Sequence, residues 1–389
     1  MQPSTKTDAP LLPVEIVLAP DWWHAHAGID FDPDFFFHPR RRVEAERTME
    51  KVAYERWGHF GLGGDRDRDL PVLGAVHLAA GFLLSEMLGC EVEYRADAPP
   101  QVHPRGQEQL AVDEEAAFRS PAFKRLEALA DQLATRHGYV TGDVNWGGIL
   151  NLALDLRGQE LFTDLADQPG QVGLFFDQIG RVIERFVSFV ESRTGSSSIS
   201  VNRNVLHRPG AVFLHSECSH TMISAAHYEK FLLPFDIAWS RRHRPFGIHY
   251  CGPDPHRMAA AYAKVPQLDF LDVGWGGDLR VLRRHLPHTF LNIRLSPVAI
   301  VDQTPEQIRA TVRRLVMDSA DPALTGICCI NMDKRVSDAQ ISAIFEAANE
   351  LRREFLAAPP GDPFQPNDRL TFPLQSSLKH SPTRNTVAT

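Results

Sequence analysis

From residue 138 onward, short runs of apolar and β-branched residues alternate with longer segments in which apolar positions recur every three or four residues. The short runs fit strands buried on both faces, and the longer ones fit amphipathic helices. Together they predict βα units and a parallel sheet. Strands are expected over 138–146 (GYVTGDVNW), 211–217, 246–252, 269–275, 289–295 and 326–331, with 14–20 (VEIVLAP) as a first strand. Helices are expected over 159–193, where Phe175, Ile179, Val182 and Phe186 form one stripe, and over 224–243, 254–264, 303–318 and 336–355. Ser224 and Thr304 are the expected N-caps, and Pro305 stands where a helix start tolerates proline.

The polar residues in this pattern fall at strand ends: Asp143 and Asn145, Glu217, His249 and Cys251, Asp272, Asn292 and Arg294, Cys328 and Cys329. A closed parallel barrel gathers its strand C-termini at one face, and that face carries the chemistry. The expected fold class is therefore α/β, a (β/α)8 TIM barrel in a single domain. A doubly wound open sheet would show the same alternation, but no Gly-rich phosphate loop follows any strand. With no internal repeat or linker to divide the chain, the expected organisation is a flexible N-terminal arm over 1–13, the barrel over 14–356, and a Pro/Ser-rich tail over 357–389.

A net charge of −8 over 389 residues provides no basic field. Nucleic acid and membrane surfaces are accordingly not the expected partners, and a small molecule is. No stretch has the roughly 18 to 20 apolar residues of a membrane helix, and the first thirteen residues lack the apolar core of a signal peptide, so a cytoplasmic location is expected. The five cysteines, at 90, 218, 251, 328 and 329, are too few and too unevenly spaced for a disulfide framework. Their thiols are left free to act as ligands.

His249 and Cys251 stand two apart on an expected strand, which turns both side chains to one side about 7 Å apart along the chain, where they can share a cation. Cys328 or Cys329 ends a later strand at the same face, and Glu217 ends an earlier one. Neighbours on a strand point to opposite faces, so only one of the two adjacent cysteines can join. Three N/S ligands with a displaceable carboxylate or water describe a catalytic zinc (Zn2+) site, and thiolates disfavour magnesium and calcium. Asp21-Trp22-Trp23-His24-Ala25-His26 is expected to be the exit loop of the first strand, with Trp22, Trp23, His24 and His26 lining a pocket for a ligand with an apolar or ring portion. His24 and His26 also have the spacing of a second metal pair. Asp143 and Asp272, with Glu217, are the candidate catalytic carboxylates, and Asn145, Asn292 and Arg294 are candidates for orienting substrate. For Arg294 the alternative is an ion-pair layer inside the barrel.

The segment 139–355 resembles the uroporphyrinogen decarboxylase superfamily through VTGDVNWGGILNLALDLRG with LFTDLADQP, then MISAAHYEKFLLPF, GIHYCG and TPEQIRATVRRLV. That family is built on a (β/α)8 barrel. The His-x-Cys pair is similar to its zinc branch, the corrinoid-linked methyltransferases such as the methylcobamide:coenzyme M methyltransferases, which carry a later cysteine and an upstream glutamate. On that resemblance His249 and Cys251 match the first pair, Cys328 the later cysteine and Glu217 the glutamate, with Cys329 left open because ICCIN departs from the branch's glycine-rich pattern. The arginine-bearing Arg-Gln-Ala-Gly-Arg motif of the true decarboxylases has no counterpart, the nearest stretch being His24 to Asp30. The function implied is zinc-dependent methyl transfer between a small-molecule donor or thiol acceptor and methylcobalamin on a separate corrinoid protein, as in an O-demethylase component. A homodimer is the implied assembly. The alternatives are a cofactor-independent decarboxylase and a non-catalytic zinc-binding or small-molecule-binding barrel.

Overall fold

The apolar runs become strands because each is short, branched and able to bury both faces. In the computed structural model, which describes residues 11–65, 69–74, 82–196 and 212–357, the strands are β1 (Val14–Leu18), β2 (Glu91–Arg95), β3 (Ala98–His103), β4 (Phe213–Ser216), β5 (Phe246–His249), β6 (Phe270–Val273), β7 (Phe290–Arg294) and β8 (Thr325–Met332). Six form one parallel sheet in the order β1-β8-β7-β6-β5-β4, and β2 pairs with β3 in a separate antiparallel hairpin. Each step from β4 to β8 returns the chain to the next position through helical structure, as consecutive βα units do. Every residue of β1, β4, β5 and β6 is buried, the condition under which a parallel strand tolerates an unbroken apolar run. One contiguous apolar core includes residues from Leu12 to Phe355.

The eightfold closure expected from the pattern is only partly present. Beyond the six strands, the described residues add a single isolated parallel bridge between Val72 and Thr141, so the architecture is a six-stranded half-barrel sheet with many helices. The stretch 138–146 is not a strand. Gly138 and Gly142 have φ of +77° and +88°, left-handed conformations that glycine adopts readily and that break a ladder. The segment is nonetheless tied to the sheet, because the Gly148 amide donates to the Ser216 carbonyl at the end of β4, at 2.7 Å.

The helices follow their expected signals with local breaks. The 159–193 segment divides into Glu160–Asp167 and Pro169–Thr194, since Pro169 lacks the N–H needed to extend the preceding helix and is well placed to open a new one. The 224–243 segment divides into Ala225–Phe231 and Leu233–Arg242, with Pro234 at the start of the second, and 254–264 holds a 3-10 turn, Pro255–Met258, followed by the short helix Ala259–Tyr262. Ser224 accepts from the His227 amide, and Thr304 exchanges bonds with Gln307 in a capping box. The segment after β1, expected as a loop, is the helix Pro20–Ala27, opened by Pro20 and ended by Gly28 at φ +64°. No described helix is long and apolar enough to cross a membrane. The expected terminal arms fall mainly on 1–10 and 358–389, which lie outside the described residues.

Leu271 in β6 is fully buried, and Leu271→Ala is expected to cost about 2–5 kcal/mol in urea unfolding. Thr304→Ala, which removes only a cap, is expected to cost about 1 kcal/mol. The reverse order would contradict the placement of the core.

Candidate metal centre

The parallel register lays polar side chains in rungs across the sheet. Ser216 pairs with His249, His249 with Asp272, Asp272 with Asn292 and Asn292 with Gly326. Two residues further along, the same register sets Cys218 beside Cys251, just past the ends of β4 and β5. The result is a group of three metal-binding side chains, Cys218, His249 and Cys251, whose ligand atoms lie within 4.8 Å of one another. Glycine permits this approach on either side: a Cβ on Gly252 would stand 2.3 Å from Thr221 Cγ2, and one on Gly274 would stand 1.9 Å from the Gly252 carbonyl oxygen.

His249 is fully buried and donates from Nδ1 to Asp272 Oδ2 at 2.6 Å. In the neutral ring that bond places the lone pair on Nε2, which is buried and has no hydrogen-bond partner. Arg294, also buried, donates to Asp272 Oδ2 at 3.0 Å and to Cys251 Sγ at 3.4 Å. The neighbouring Cys218 thiol, acting as a donor, holds the Cys251 thiol well below its usual range against the opposing effect of burial, with help from His249 and Arg294. Cys218 itself is pushed up, because it is the proton-bearing partner and is buried. Burial raises the Asp272 carboxyl, but Arg294 and His249 outweigh it and hold it low. For His249, burial and the Arg294 charge oppose protonation, and Asp272 outweighs both. Two sulfurs, one of them already acidic, and an unpartnered buried imidazole nitrogen suit zinc and not magnesium or calcium. A tetrahedral ion held by these three donors would keep a fourth position open.

The other expected site residues are placed differently. Cys328 is not in the group. It sits opposite Arg294 in the register, and the Arg294 side chain donates to Cys251. Its thiol, pushed up by burial and by Asp272, donates instead to Asp272 Oδ1 at 3.7 Å. Cys329 packs in the apolar core. Glu217 is not in the group either: it accepts from the Leu150 and Asn151 amides at 2.8 and 2.9 Å, satisfying the start of the helix Ile149–Arg157. Asp143 and Asn145 are buried in the irregular segment before that helix and do not belong to the cluster. Asn292 donates to Glu15 Oε2 at 2.9 Å inside the sheet's concave face. Trp22 and Trp23 are buried, Trp22 against Trp57, His26 and Arg56. Trp23 lines a cavity of about 90 Å³ with Ile16, Met49 and Trp57. His24 pairs with Asp30 and His26 bonds the Lys334 carbonyl, so the two do not form a metal pair.

Cys218 was not among the expected ligands. Its signal in the sequence is a thiol two residues past the end of β4, mirrored by Cys251 two residues past His249, which pairs with Ser216. Behind the group lies a second buried cluster. His215 bonds Asp236 Oδ1 at 2.7 Å and lies 3.2 Å from Glu217 Oε2, and the Tyr228 hydroxyl donates to Asp236 at 2.6 Å. Burial works against a charge on His215, but Asp236 and Glu217 raise it to about 10.

No protein-family model and no curated protein matches the chain. Among solved structures, a methyltransferase from Methanosarcina mazei superposes with a TM-score of 0.60 at 13% identity, covering 90% of this chain and 95% of that one. A B12-independent methionine synthase from Shewanella sp. W3-18-1 gives a TM-score of 0.49 at 9% identity, over 90% and 99% of the two chains. At this identity the first likeness is one of fold.

The folded-state pKa of His215 lies above its ordinary value of 6.5, so the stability it contributes is complete below about pH 6.5 and is lost as pH rises through about 10. The gap in unfolding free energy between wild type and His215→Gln, measured by urea titration, is expected to shrink over that window. A gap that stays constant from pH 6 to 10, on the order of the window named, would contradict a charged His215.

Proposed function

We propose that this chain is a methyltransferase whose substrate-activating centre is a zinc ion held by Cys218, His249 and Cys251. The observation that carries the reading is the convergence of these three donors within 4.8 Å at the C-terminal ends of adjacent parallel strands, the face where barrels of this kind do their chemistry. The likeness of fold to a methyltransferase supports the choice of reaction. On this reading the sheet belongs to a (β/α)8 barrel, with Val72 and Thr141 marking its two weakest strands.

Zinc bound there would act as a Lewis acid that keeps a substrate thiol or hydroxyl anionic at neutral pH. The chain's own residues prepare the site. Asp272 fixes the His249 tautomer and so aims Nε2. Arg294 neutralises charge: two thiolates and Asp272 carry three negative charges, set against the ion's two positive charges and the one on Arg294. Glu217 and His215 hold the helix Ile149–Arg157 against the end of β4. The reaction proposed is methyl exchange between a small molecule and a methylated corrinoid on a separate protein. A thiol held at this centre would take the methyl group, with the pair of its former bond left on the corrinoid that such a partner would supply; the reverse direction would demethylate.

Purified wild type is expected to contain about one zinc per chain. Cys218→Ala and Cys251→Ala are expected to lose it and Cys328→Ala to keep it, as read by metal analysis. Zinc kept by Cys218→Ala but lost by Cys328→Ala would overturn this donor set. The zinc-loaded protein, given methylcobalamin and a small thiol without oxygen, is expected to release cob(I)alamin and the methyl thioether. Full zinc loading with no methyl exchange toward thiols or from phenyl methyl ethers would overturn the reaction.

A further inference from the structure

Two of the three donors lie outside regular strands. Cys218 begins the 3-10 turn Cys218–Met222, and Cys251 lies in the connection between β5 and the 3-10 turn Pro255–Met258. The separation of their sulfurs therefore depends on what holds one turn to the other. One side chain spans both. Arg257 donates from Nη2 to the His220 carbonyl at 2.7 Å and from Nη1 to the Ile223 carbonyl at 2.6 Å, both in the Cys218 segment. On the Cys251 side its Nε donates to the Tyr250 hydroxyl at 3.2 Å and lies 3.1 Å from Asp254 Oδ2, while Tyr250 donates to Asp254 Oδ1 at 2.6 Å. All three guanidinium nitrogens are thus used to link the two turns. Gly252 lies close against Thr221, where any added Cβ would clash with the Thr221 methyl group.

We propose that Arg257 is the positioning residue of this centre, setting the spacing of the Cys218 and Cys251 sulfurs by fastening the His220 and Ile223 carbonyls to Tyr250 and Asp254. The inference rests on the reading of the trio as a metal site and extends it to a residue that touches none of the three donors. The planar fork of arginine fits two carbonyls at once, whereas a lysine ammonium is a single point of charge. Substituting the residues that orient metal ligands typically weakens metal binding by 10- to 100-fold, and that range is the effect expected here.

The test compares wild type, Arg257→Met and Arg257→Lys by three measurements. Zinc affinity, from competition with a chelator, is expected to fall about 10- to 100-fold in Arg257→Met and by less in Arg257→Lys, which can keep one carbonyl bond. In metal-free protein, diamide is expected to join Cys218 to Cys251 more slowly in Arg257→Met. In that reaction the two thiols give up two protons and two electrons, the S–S bond forms, and the N=N bond of diamide is reduced to the hydrazine; the bond is located by peptide mass mapping. Thermal unfolding of the metal-free proteins reports general damage. Unchanged affinity with an unchanged disulfide rate overturns the proposal, as does a lowered melting temperature without either effect. A wild type that binds no zinc but still closes the disulfide faster than Arg257→Met would refute the metal reading and leave the spacing role standing.

Discussion

The buried carboxylate of Asp272 is the constraint from which the arrangement of this site follows. A bare carboxylate in a fully buried position is costly, and it is tolerated when its oxygens are hydrogen-bonded and its charge is matched. Here His249, Arg294 and Cys328 supply those partners. Each pays a consequence. His249 is committed to Asp272 through Nδ1, which turns its other nitrogen to the two sulfurs. Cys328 keeps its proton and serves as a donor. Arg294 is drawn across the concave face of the sheet, where its remaining guanidinium reach meets Cys251.

Strand order sets which cysteine lies near His249 and Cys251. Cys328 and Cys218 both follow strand positions in this face, and chemistry alone would not choose between them. Cys251 accepts from Arg294 and Cys328 donates to Asp272, whereas the direct pairing of β4 with β5 brings Cys218 to Cys251. The three side chains therefore come from the end of β5 and from the turns that follow β4 and β5.

The remaining strand-end polar groups serve the fold around the site. Glu217 satisfies two amides at the start of the helix Ile149–Arg157 and lies against His215, which is held in turn by Asp236. Asn292 bonds Glu15 across β8. Burying so many polar groups is stable only because they satisfy one another, and the same networks hold the backbone on which the sulfurs are mounted. A likeness of fold at 13% identity does not carry these particulars; they belong to the residues of this chain.

The sequence by itself determined the parallel strands β4 to β8, the caps at Ser224 and Thr304, and the pairing of His249 with Cys251. All of these depend on local period, local cap chemistry or a spacing of two, which a chain carries wherever it folds. It also placed polar chemistry at the strand ends. Three things were decided only by tertiary structure: that Cys218 and not Cys328 meets that pair, that Glu217 turns to a helix start, and that Trp22 and Trp23 are packed inward on a helix. Each turns on which strand lies beside which and on what fills the space between them, and neither is encoded in the spacing of residues along one segment. The stretch 138–146 shows the same division from the other side: its apolar run looked like a strand, and two glycines in left-handed conformation left it with a single bridge.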